Sequence, residues 1–249
     1  MLDIHCHILP YTDDGATDIN ASLDMAKKAE KLGYDGVFAT SHYIIHDNEI
    51  ENKTFINNIK KLNEMFEIEN INVKVYEGNE IFFTNDIVKL IKEKKVSTLA
   101  NSRYVLVELP LFNSIIPMNV YDEFNKLQDA GFTPILAHPE RYDFVTKNFK
   151  SLINLIESGI LLQSNIGSIT GKYGKDAKKN IEKMLKNNMV HFLATDSHNN
   201  TVYDVYDKAI KKIKKVINDD DIYEKIIYEN PQKVLSNEEI NIWYPKSSK

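Results

Sequence analysis

The chain has 249 residues, a formal net charge of −5 and a single cysteine, Cys6. Acidic and basic residues are mixed along it, which argues against a nucleic-acid partner, and a lone cysteine excludes an internal disulfide and fits a reducing compartment. The sequence shows neither a signal-peptide pattern nor an apolar run of ~18 residues, so we predict a cytoplasmic protein without membrane insertion.

Short β-branched runs alternate with longer amphipathic segments, as in successive β-α units. The predicted strands are 2–5, 37–40, 73–76, 104–108, 133–137, 160–164 and 191–195. Asp18 is the predicted N-cap of the first helix and Gly33 its terminator. The later helices are predicted at 49–66, 85–94, 119–130, 148–158, 175–187 and 203–217. We predict one domain over 1–245 and a disordered tail at 246–249.

Side chains that can bind metal ions recur where the predicted strands end. His5 and His7 are two residues apart, so both leave the same face of the first strand. Asp196 and His198 repeat that spacing after the last strand. The strand ends between them carry Asp14, His42, Glu80, Glu108 and His138.

The position of these residues decides between an open sheet and a barrel. An open sheet would spread them along an edge of ~30 Å, at ~4.8 Å per strand, whereas the strand ends of a barrel converge on one mouth. A lone strand-end histidine is more often an ordinary hydrogen-bonded residue, but the full set predicts a metal-dependent hydrolase with an α/β barrel. His46 and His191 fall outside the pattern: we expect His46 on a loop and His191 inside the barrel or beneath its mouth.

Together these motifs resemble the polymerase and histidinol phosphatase (PHP) superfamily, and most closely its bacterial manganese-dependent protein-tyrosine phosphatases of capsule and exopolysaccharide operons. The resemblance runs through Asp3-Ile4-His5-Cys6-His7-Ile8, Asp13-Asp14-Gly15, Thr40-Ser41-His42, Gly78-Asn79-Glu80-Ile81, Asn101-Ser102-Arg103-Tyr104, Ala137-His138-Pro139-Glu140-Arg141-Tyr142 and Thr195-Asp196-Ser197-His198-Asn199. It covers nearly the whole chain. It implies a distorted (β/α)7 TIM-like barrel of PHP type that holds three divalent ions, usually Mn²⁺, with iron or zinc as substitutes.

The resemblance also implies how the ligands are shared. One ion would take His5, His7, Glu80 and Asp196. A second would take Glu80, Glu108 and His138, with Glu80 bridging the two ions. A third would take Asp14, His42 and His198. The residues by themselves predict the ligand set without assigning it to individual ions.

The predicted reaction is hydrolysis of phosphotyrosine by in-line attack of a metal-bound hydroxide, without a covalent phosphoenzyme. Arg141 lies three residues beyond His138 and is the predicted phosphate clamp; the alternative is an ion pair with Glu140 or another carboxylate. Asp14 joins Arg141 in the predicted catalytic set. A cysteine mechanism is rejected, because Cys-x5-Arg would need arginine at Thr12 and Cys6 points away from the histidine pair.

Relatives in this superfamily can carry a second arginine after the last Asp-x-His, but this chain reads Asn199-Asn200-Thr201-Val202-Tyr203 there. Asn199, Tyr203 or a lysine are the candidate substitutes. Arg103 precedes a strand and is assigned a structural or interface role at the opposite end of the barrel.

The resemblance implies a phosphotyrosine protein as substrate, namely the tail of a bacterial tyrosine kinase that controls polysaccharide export. A small-molecule phosphatase such as histidinol phosphatase is the alternative, followed by a nuclease and a non-catalytic metal-binding regulatory module. Self-association through the amino-terminal helices is a further hypothesis.

Overall fold

The structure is a computed structural model that describes residues 1–241. Seven parallel strands follow one another around a single sheet in chain order. They are β1 (Leu2–Cys6), β2 (Gly36–Tyr43), β3 (Lys74–Phe82), β4 (Tyr104–Glu108), β5 (Thr133–Ala137), β6 (Leu161–Asn165) and β7 (Phe192–Ala194). The predicted tail at 246–249 lies outside the described residues.

Backbone hydrogen bonds bring the end of the sheet against its beginning. Asp196 N donates to His5 O at 2.8 Å, and His7 N donates to Ser197 O at 2.9 Å. The sheet therefore forms a nearly closed α/β barrel, and the predicted TIM-like architecture is confirmed. This seam lies beside predicted metal ligands from both ends of the chain.

Helices cover the outside of the barrel. They are α1 (Ile19–Lys31), α2 (Asn52–Ile68), α3 (Ile87–Lys92), α4 (Val120–Asp129), α5 (Asp143–Lys147), α6 (Lys150–Glu157), α7 (Gly174–Lys186), α8 (Thr201–Asp204), α9 (Tyr206–Ile217), α10 (Asp220–Glu224) and α11 (Asn230–Ser236). Asp18 caps α1 by accepting from Ala21 N at 3.0 Å, and Gly33, with φ +87°, follows its end. Both predicted signals are confirmed. The elements after Ile217 were not predicted, because five to seven residues carry too little apolar periodicity.

The apolar core has two layers, separated by the sheet. Alternate strand residues, among them Ile4, Phe38, Leu106 and Ile135, fill the interior of the barrel. A larger cluster packs the other faces of the strands against the helices. Among the helices of residues 1–241, none combines the length and the apolar character that crossing a bilayer requires.

The predicted ends of the second and third strands, at 40 and 76, were wrong. β2 continues to Tyr43 and β3 to Phe82, and His42 pairs with Glu80 within the ladder. Polar side chains interrupt the apolar pattern here, but they face the barrel mouth, so backbone pairing continues beneath them. His42 and Glu80 therefore lie on rigid strands rather than in the loops that follow.

Candidate metal centre

All nine predicted ligands come together at the mouth of the barrel, and Glu80 lies at their centre. Its Oε2 is 3.1 Å from His5 Nε2, 3.3 Å from His7 Nε2 and 3.1 Å from His42 Nδ1. Its Oε1 is 2.9 Å from His138 Nε2. One buried carboxylate therefore touches four imidazoles from three different segments, the ends of β1, β2 and β5, as a bridging ligand would.

The remaining ligands extend this centre on both sides. Glu108 Oε1 lies 3.5 Å from His138 Nε2. Asp196 Oδ1 lies 3.4 Å from the Nε2 atoms of both His5 and His7 and 3.5 Å from His198 Nδ1. On the open side, Asp14 Oδ1 lies 3.3 Å from His198 Nε2.

Ligand atoms within 4.8 Å of one another define three groups in the described chain. The groups are His5, His7 and Asp196; His42, Glu80 and Glu108; and His7, Asp14, His42 and His198. This division resembles the three ion sites expected from the sequence, but His7 and His42 each belong to two groups, whereas Glu80 belongs to one and His138 to none. The roles of these residues as ligands stay a prediction.

Local departures from regular strand geometry direct three of the predicted ligands toward the barrel mouth. Between Asp3 and Cys6 the register of β1 against β2 slips by one residue, and this bulge turns His5 toward the mouth while Ile4 still packs inside the barrel. His138 and Asp196 follow the ends of β5 and β7 with positive φ of 32° and 47°. Left-handed backbone is strained in residues with a side chain, and such strain is concentrated at functional sites.

Neighbouring acceptors fix the tautomers of two central histidines. Gln163 Oε1 accepts from His138 N at 3.3 Å and lies 2.9 Å from His5 Nδ1, so His5 donates from Nδ1. His7 Nδ1 lies 2.7 Å from Asp13 Oδ2 and donates to it. In the neutral imidazoles that bind a metal ion, the lone pairs of both Nε2 atoms, 3.2 Å apart, therefore face the centre, as outer carboxylates and amides arrange histidines around metals.

These contacts test whether the residues fit divalent ions. Acceptor lone pairs of His5 and His7 face the carboxylate oxygens of Glu80 and Asp196, and within residues 1–241 neither Glu80 Oε2 nor Asp196 Oδ1 receives a hydrogen bond. Burial and repulsion from Glu80 raise the pKa of Glu108 to about 8. Buried acceptors that converge without donors are stabilised by cations, and mixed imidazole and carboxylate ligands suit manganese, iron or zinc. The site fits the predicted ions.

Asp13 is a supporting residue that the sequence-based interpretation missed. Besides binding His7, its carboxylate accepts from His42 N and Gly15 N, each at 2.9 Å. Burial opposes its ionisation, but the hydrogen bond with His7 outweighs that effect and lowers the pKa of Asp13 to about 2. The Asp13-Asp14-Gly15 motif carried the signal, and only Asp14 was chosen as a functional residue.

The sixth strand supplies two further supporting residues that were not predicted. Gln163 orients His5, and Asn165 Nδ2 donates to Asp196 Oδ2 at 2.6 Å. Arg141 Nη1 donates to the same oxygen at 3.0 Å. Asp196 is therefore held through Oδ2, which leaves Oδ1 directed at the histidines. An amide side chain is not itself a strong metal signal, so sequence alone did not single out this strand.

Gly15 gives a stability prediction for the loop that carries both aspartates. A Cβ at this position would lie 2.2 Å from His7 O and 2.5 Å from His7 Cβ. We expect Gly15→Ala to lower the free energy of unfolding by about 2 kcal/mol, as overpacking does, measured by urea denaturation. Thr17→Ala, an exposed change two residues away, is the control. An unchanged midpoint for Gly15→Ala would show that the loop can move away from His7.

Other residues singled out in the sequence have structural roles. Arg103 donates from its backbone N and its Nε to Asn237 Oδ1, far from the mouth. His46 is 92% exposed on the loop after β2, and buried His191 accepts from Leu162 N through Nδ1. Cys6 packs in the outer core layer as predicted, and burial raises the pKa of its thiol.

Tyr203 was wrongly considered as a substitute for the missing arginine. It is buried, and its hydroxyl lies 3.8 Å from Cys6 Sγ on the outer side of the sheet. After β7, α8 turns the chain away from the mouth, and the sequence alone did not reveal this path. Asn199 and Lys172 do line the mouth.

A pocket of about 800 Å³ opens over the centre. Its floor includes Glu80, Glu108, His138 and Asp196, and its wall includes Arg141. The Arg141 guanidinium carbon lies 4.4 Å from the ring centroid of Tyr173. The ion pair of Arg141 with Asp196 thus exists, and Arg141 also faces the space in which a substrate would bind.

Comparison with known proteins identifies relatives along nearly all of the chain. The family profile described as capsular polysaccharide synthesis, CpsB/CapC, matches residues 1–236. The putative tyrosine-protein phosphatase CapC of Staphylococcus aureus is 34% identical over 251 residues, covering 98% of this chain and 95% of that protein. The tyrosine-protein phosphatase YwqE of Bacillus subtilis is 34% identical over 202 residues, covering 80% of this chain and 78% of YwqE.

Solved structures agree with these matches. One from the study of YwqE from Bacillus subtilis and CpsB from Streptococcus pneumoniae, described as unique metal-dependent tyrosine phosphatases, matches with a TM-score of 0.92 and 30% identity over 100% of both chains. Histidinol phosphate phosphatase from Lactococcus lactis, complexed with zinc, L-histidinol and phosphate, matches with a TM-score of 0.53 and 14% identity over 85% of this chain and 93% of that one. The second likeness shows a shared fold alone.

Proposed function

The chain belongs to the CpsB/CapC family of capsular polysaccharide synthesis proteins, and from this membership we propose that it is a metal-dependent tyrosine-protein phosphatase. The resemblance to PHP-type tyrosine phosphatases read from its motifs is thereby confirmed at the level of the family. The observation that carries the proposed activity is the convergence of histidines and carboxylates around Glu80, below a pocket that also contains Arg141.

The proposed cofactor is three divalent ions, with Mn²⁺ as the native metal. The three groups of ligand atoms support the number, and the mixed nitrogen and oxygen ligands support a first-row ion. When bound, such ions supply Lewis acidity, which neutralises phosphate oxygens and lowers the pKa of a water from 15.7 toward ~7. Glu80 would hold two ions, and Asp13, Gln163 and Asn165 would keep the ligands oriented.

The protein's own side chains then bind and orient the phosphate. Arg141 Nη1 is held by Asp196, so its remaining N–H groups can donate to two phosphate oxygens in the pocket. Asp14 is the exposed member of the proposed ligand set; hydrogen bonding to His198 lowers its pKa, so its carboxylate is ionised, as binding an ion at the open side requires. The phenol that leaves has a pKa near ~10, so it needs less protonation than an aliphatic alcohol.

The proposed substrate is a phosphotyrosine protein, and specifically the tail of a bacterial tyrosine kinase that regulates capsule or exopolysaccharide synthesis in the cytoplasm. The name of the family profile supports the polysaccharide context, and the names of the relatives support phosphotyrosine. A flexible tail suits the site, because the pocket is open on one side and an extended segment can enter it. Self-association through the amino-terminal helices remains a separate hypothesis.

The test is a comparison of kcat/KM on a phosphotyrosine peptide, the matching phosphoserine peptide and histidinol phosphate, using manganese-loaded protein. We expect the phosphotyrosine peptide to be preferred at least about tenfold over either alternative, a difference of ~1.4 kcal/mol. Preference for histidinol phosphate would replace the proposal with a small-molecule phosphatase. Bound metal without turnover of any of the three would favour a regulatory module.

Arg141 gives a second functional prediction. We expect Arg141→Ala to keep its metal content and to lose about 100-fold in kcat/KM on the phosphotyrosine peptide, because two charge-assisted hydrogen bonds to phosphate are lost. Arg103→Ala is the matched control, since Arg103 is the other arginine of the sequence and lies at the opposite end of the barrel. Elemental analysis and steady-state kinetics measure both effects. Equal kcat/KM for the two variants would remove Arg141 from substrate binding.

A further inference from the structure

The pocket is strongly acidic, yet one part of its wall is cationic. Among the described residues that line it, six carry carboxylates, whereas Arg141 and Lys172 are the two basic residues other than histidine. A phosphate monoester is an anion with a charge of about −2 at neutral pH. An anion that enters this pocket is therefore drawn to the side where Arg141 and Lys172 lie.

A short glycine-bounded turn, Gly171-Lys172-Tyr173-Gly174, carries the second cation. Both glycines have positive φ, 92° and 93°, a conformation that glycine adopts without strain. Gly174 N donates to Gly171 O at 3.1 Å, and Lys172 N donates to Gly167 O at 3.4 Å. The turn thus directs Lys172 and Tyr173 to the pocket wall immediately before α7.

The stem of Lys172 is also held in place. A Cβ added at Gly167 would lie 3.1 Å from Lys172 Cδ and 3.6 Å from Lys172 Cβ, so the methylene chain rests on the bare backbone of Gly167. A lysine stem packed in this way loses less freedom on binding than one that extends into solvent. Lys172 as a whole is exposed, and this contact supports its stem where the ammonium group reaches the pocket wall.

Tyr173 brings the two cations together. Its ring centroid lies 4.4 Å from Arg141 Cζ and 5.1 Å from Lys172 Nζ, distances at which a cation is attracted by an aromatic face. Burial and the charge of Arg141 lower the pKa of Lys172. Two like charges that share one ring repel each other, and a bound dianion would relieve that repulsion.

We propose that Lys172 is a phosphate-binding residue, which together with Arg141 grips the phosphate oxygens of an aryl phosphate at the Tyr173 side of the pocket. This inference deepens the proposed phosphatase function and rests on it for the identity of the substrate. The recognition of the phosphate group itself depends on the two cations and the turn that presents Lys172.

The experiment compares Lys172→Met, Lys172→Arg and Lys175→Met in full-length, manganese-loaded protein. We expect Lys172→Met to raise both KM for a phosphotyrosine peptide and Kd for inorganic phosphate, measured by calorimetry, about tenfold, as loss of one charged hydrogen bond does. We expect kcat to change less than about threefold, since Arg141 still orients the phosphate. Lys172→Arg should restore most of both constants. Lys175→Met, an exposed change three residues further along, should leave them unchanged.

The two readouts separate this inference from the proposed function. If wild-type protein does not hydrolyse the phosphotyrosine peptide but Lys172→Met still weakens phosphate binding, the proposed function fails and the phosphate site stands. Unchanged Kd for phosphate in Lys172→Met, with metal content and melting temperature as in wild type, overturns the inference. An equal loss in Lys175→Met would also overturn it, because the effect would then reflect net charge rather than the position of Lys172.

Discussion

Glu80→Gln is expected to lower kcat/KM for a phosphotyrosine peptide by about 1,000-fold, which corresponds to ~4 kcal/mol of transition-state stabilisation. The carboxylate of Glu80 touches His5, His7, His42 and His138, and as the proposed bridging ligand it would bind two ions. Glutamine keeps the shape of the side chain but removes the charge and one acceptor oxygen. The protein would then bind two of the ions more weakly, and the site of the third ion would no longer have occupied ion sites beside it.

Steady-state kinetics and elemental analysis should be combined in this experiment. We expect the purified variant to contain fewer manganese ions per chain than wild type under the same loading conditions. Glu77→Gln is the control on the same strand, because Glu77 accepts from Ser97 Oγ at 2.7 Å away from the mouth. Wild-type activity and metal content in Glu80→Gln would contradict the bridging role. A loss of activity with a full complement of metal would move Glu80 from ion binding to the chemistry itself.

Removal of the ions from wild-type protein is expected to abolish turnover, with a fall of at least about 1,000-fold. Strong chelation followed by dialysis should also lower the melting temperature by about 5–10 °C. Binding at 100 times Kd contributes ~2.7 kcal/mol, and 1 kcal/mol shifts the transition of a chain of this size by ~2–4 °C. The physical reason is the convergence of buried acceptors on Glu80 and Asp196, which repel one another without cations.

Manganese added back to the stripped protein should restore both activity and melting temperature, and protein dialysed without chelator is the control for handling losses. Parallel additions of zinc and of iron would rank the candidate metals by the activity and melting temperature that each one restores. If elemental analysis verifies that the metal is lost and the protein keeps full activity in chelator, the metal-dependent mechanism is wrong. Restored stability without restored activity would instead indicate that the ions organise the barrel mouth but do not participate in turnover.

Much of the site could be predicted because its chemistry restricts the residue types. Few purely structural roles require histidine or carboxylate side chains at the ends of successive strands. A parallel barrel brings such strand ends to one mouth. His5 and His7 at one end of the chain and Asp196 and His198 at the other therefore indicated a shared site, although about 190 residues separate them. The predicted strands were accurate where apolar runs were bounded by turns, as at β4 and β5.

Predictions failed where polar residues belong to regular strands. The predicted bounds of β2 and β3 stopped short of His42 and Glu80, because an inward-facing polar side chain looks like the start of a loop in the sequence. The supporting residues were missed for a different reason. Asp13, Gln163 and Asn165 bind no ion in the proposed arrangement. Each one instead orients a candidate ligand through a hydrogen bond. Such a role has no residue pattern of its own.

By itself, the sequence determined the fold class, the family and the set of candidate metal-binding side chains, since these depend on residue types and on their order relative to strands. Only the tertiary structure decided how these side chains are arranged: Glu80 at the centre, His7 and His42 each in two ligand groups, Arg141 held by Asp196, and both Arg141 and Lys172 near the ring of Tyr173. The physical reason is that a bulge in β1 and left-handed residues at His138 and Asp196 set where side chains point, and neither is encoded in a local pattern of hydrophobicity.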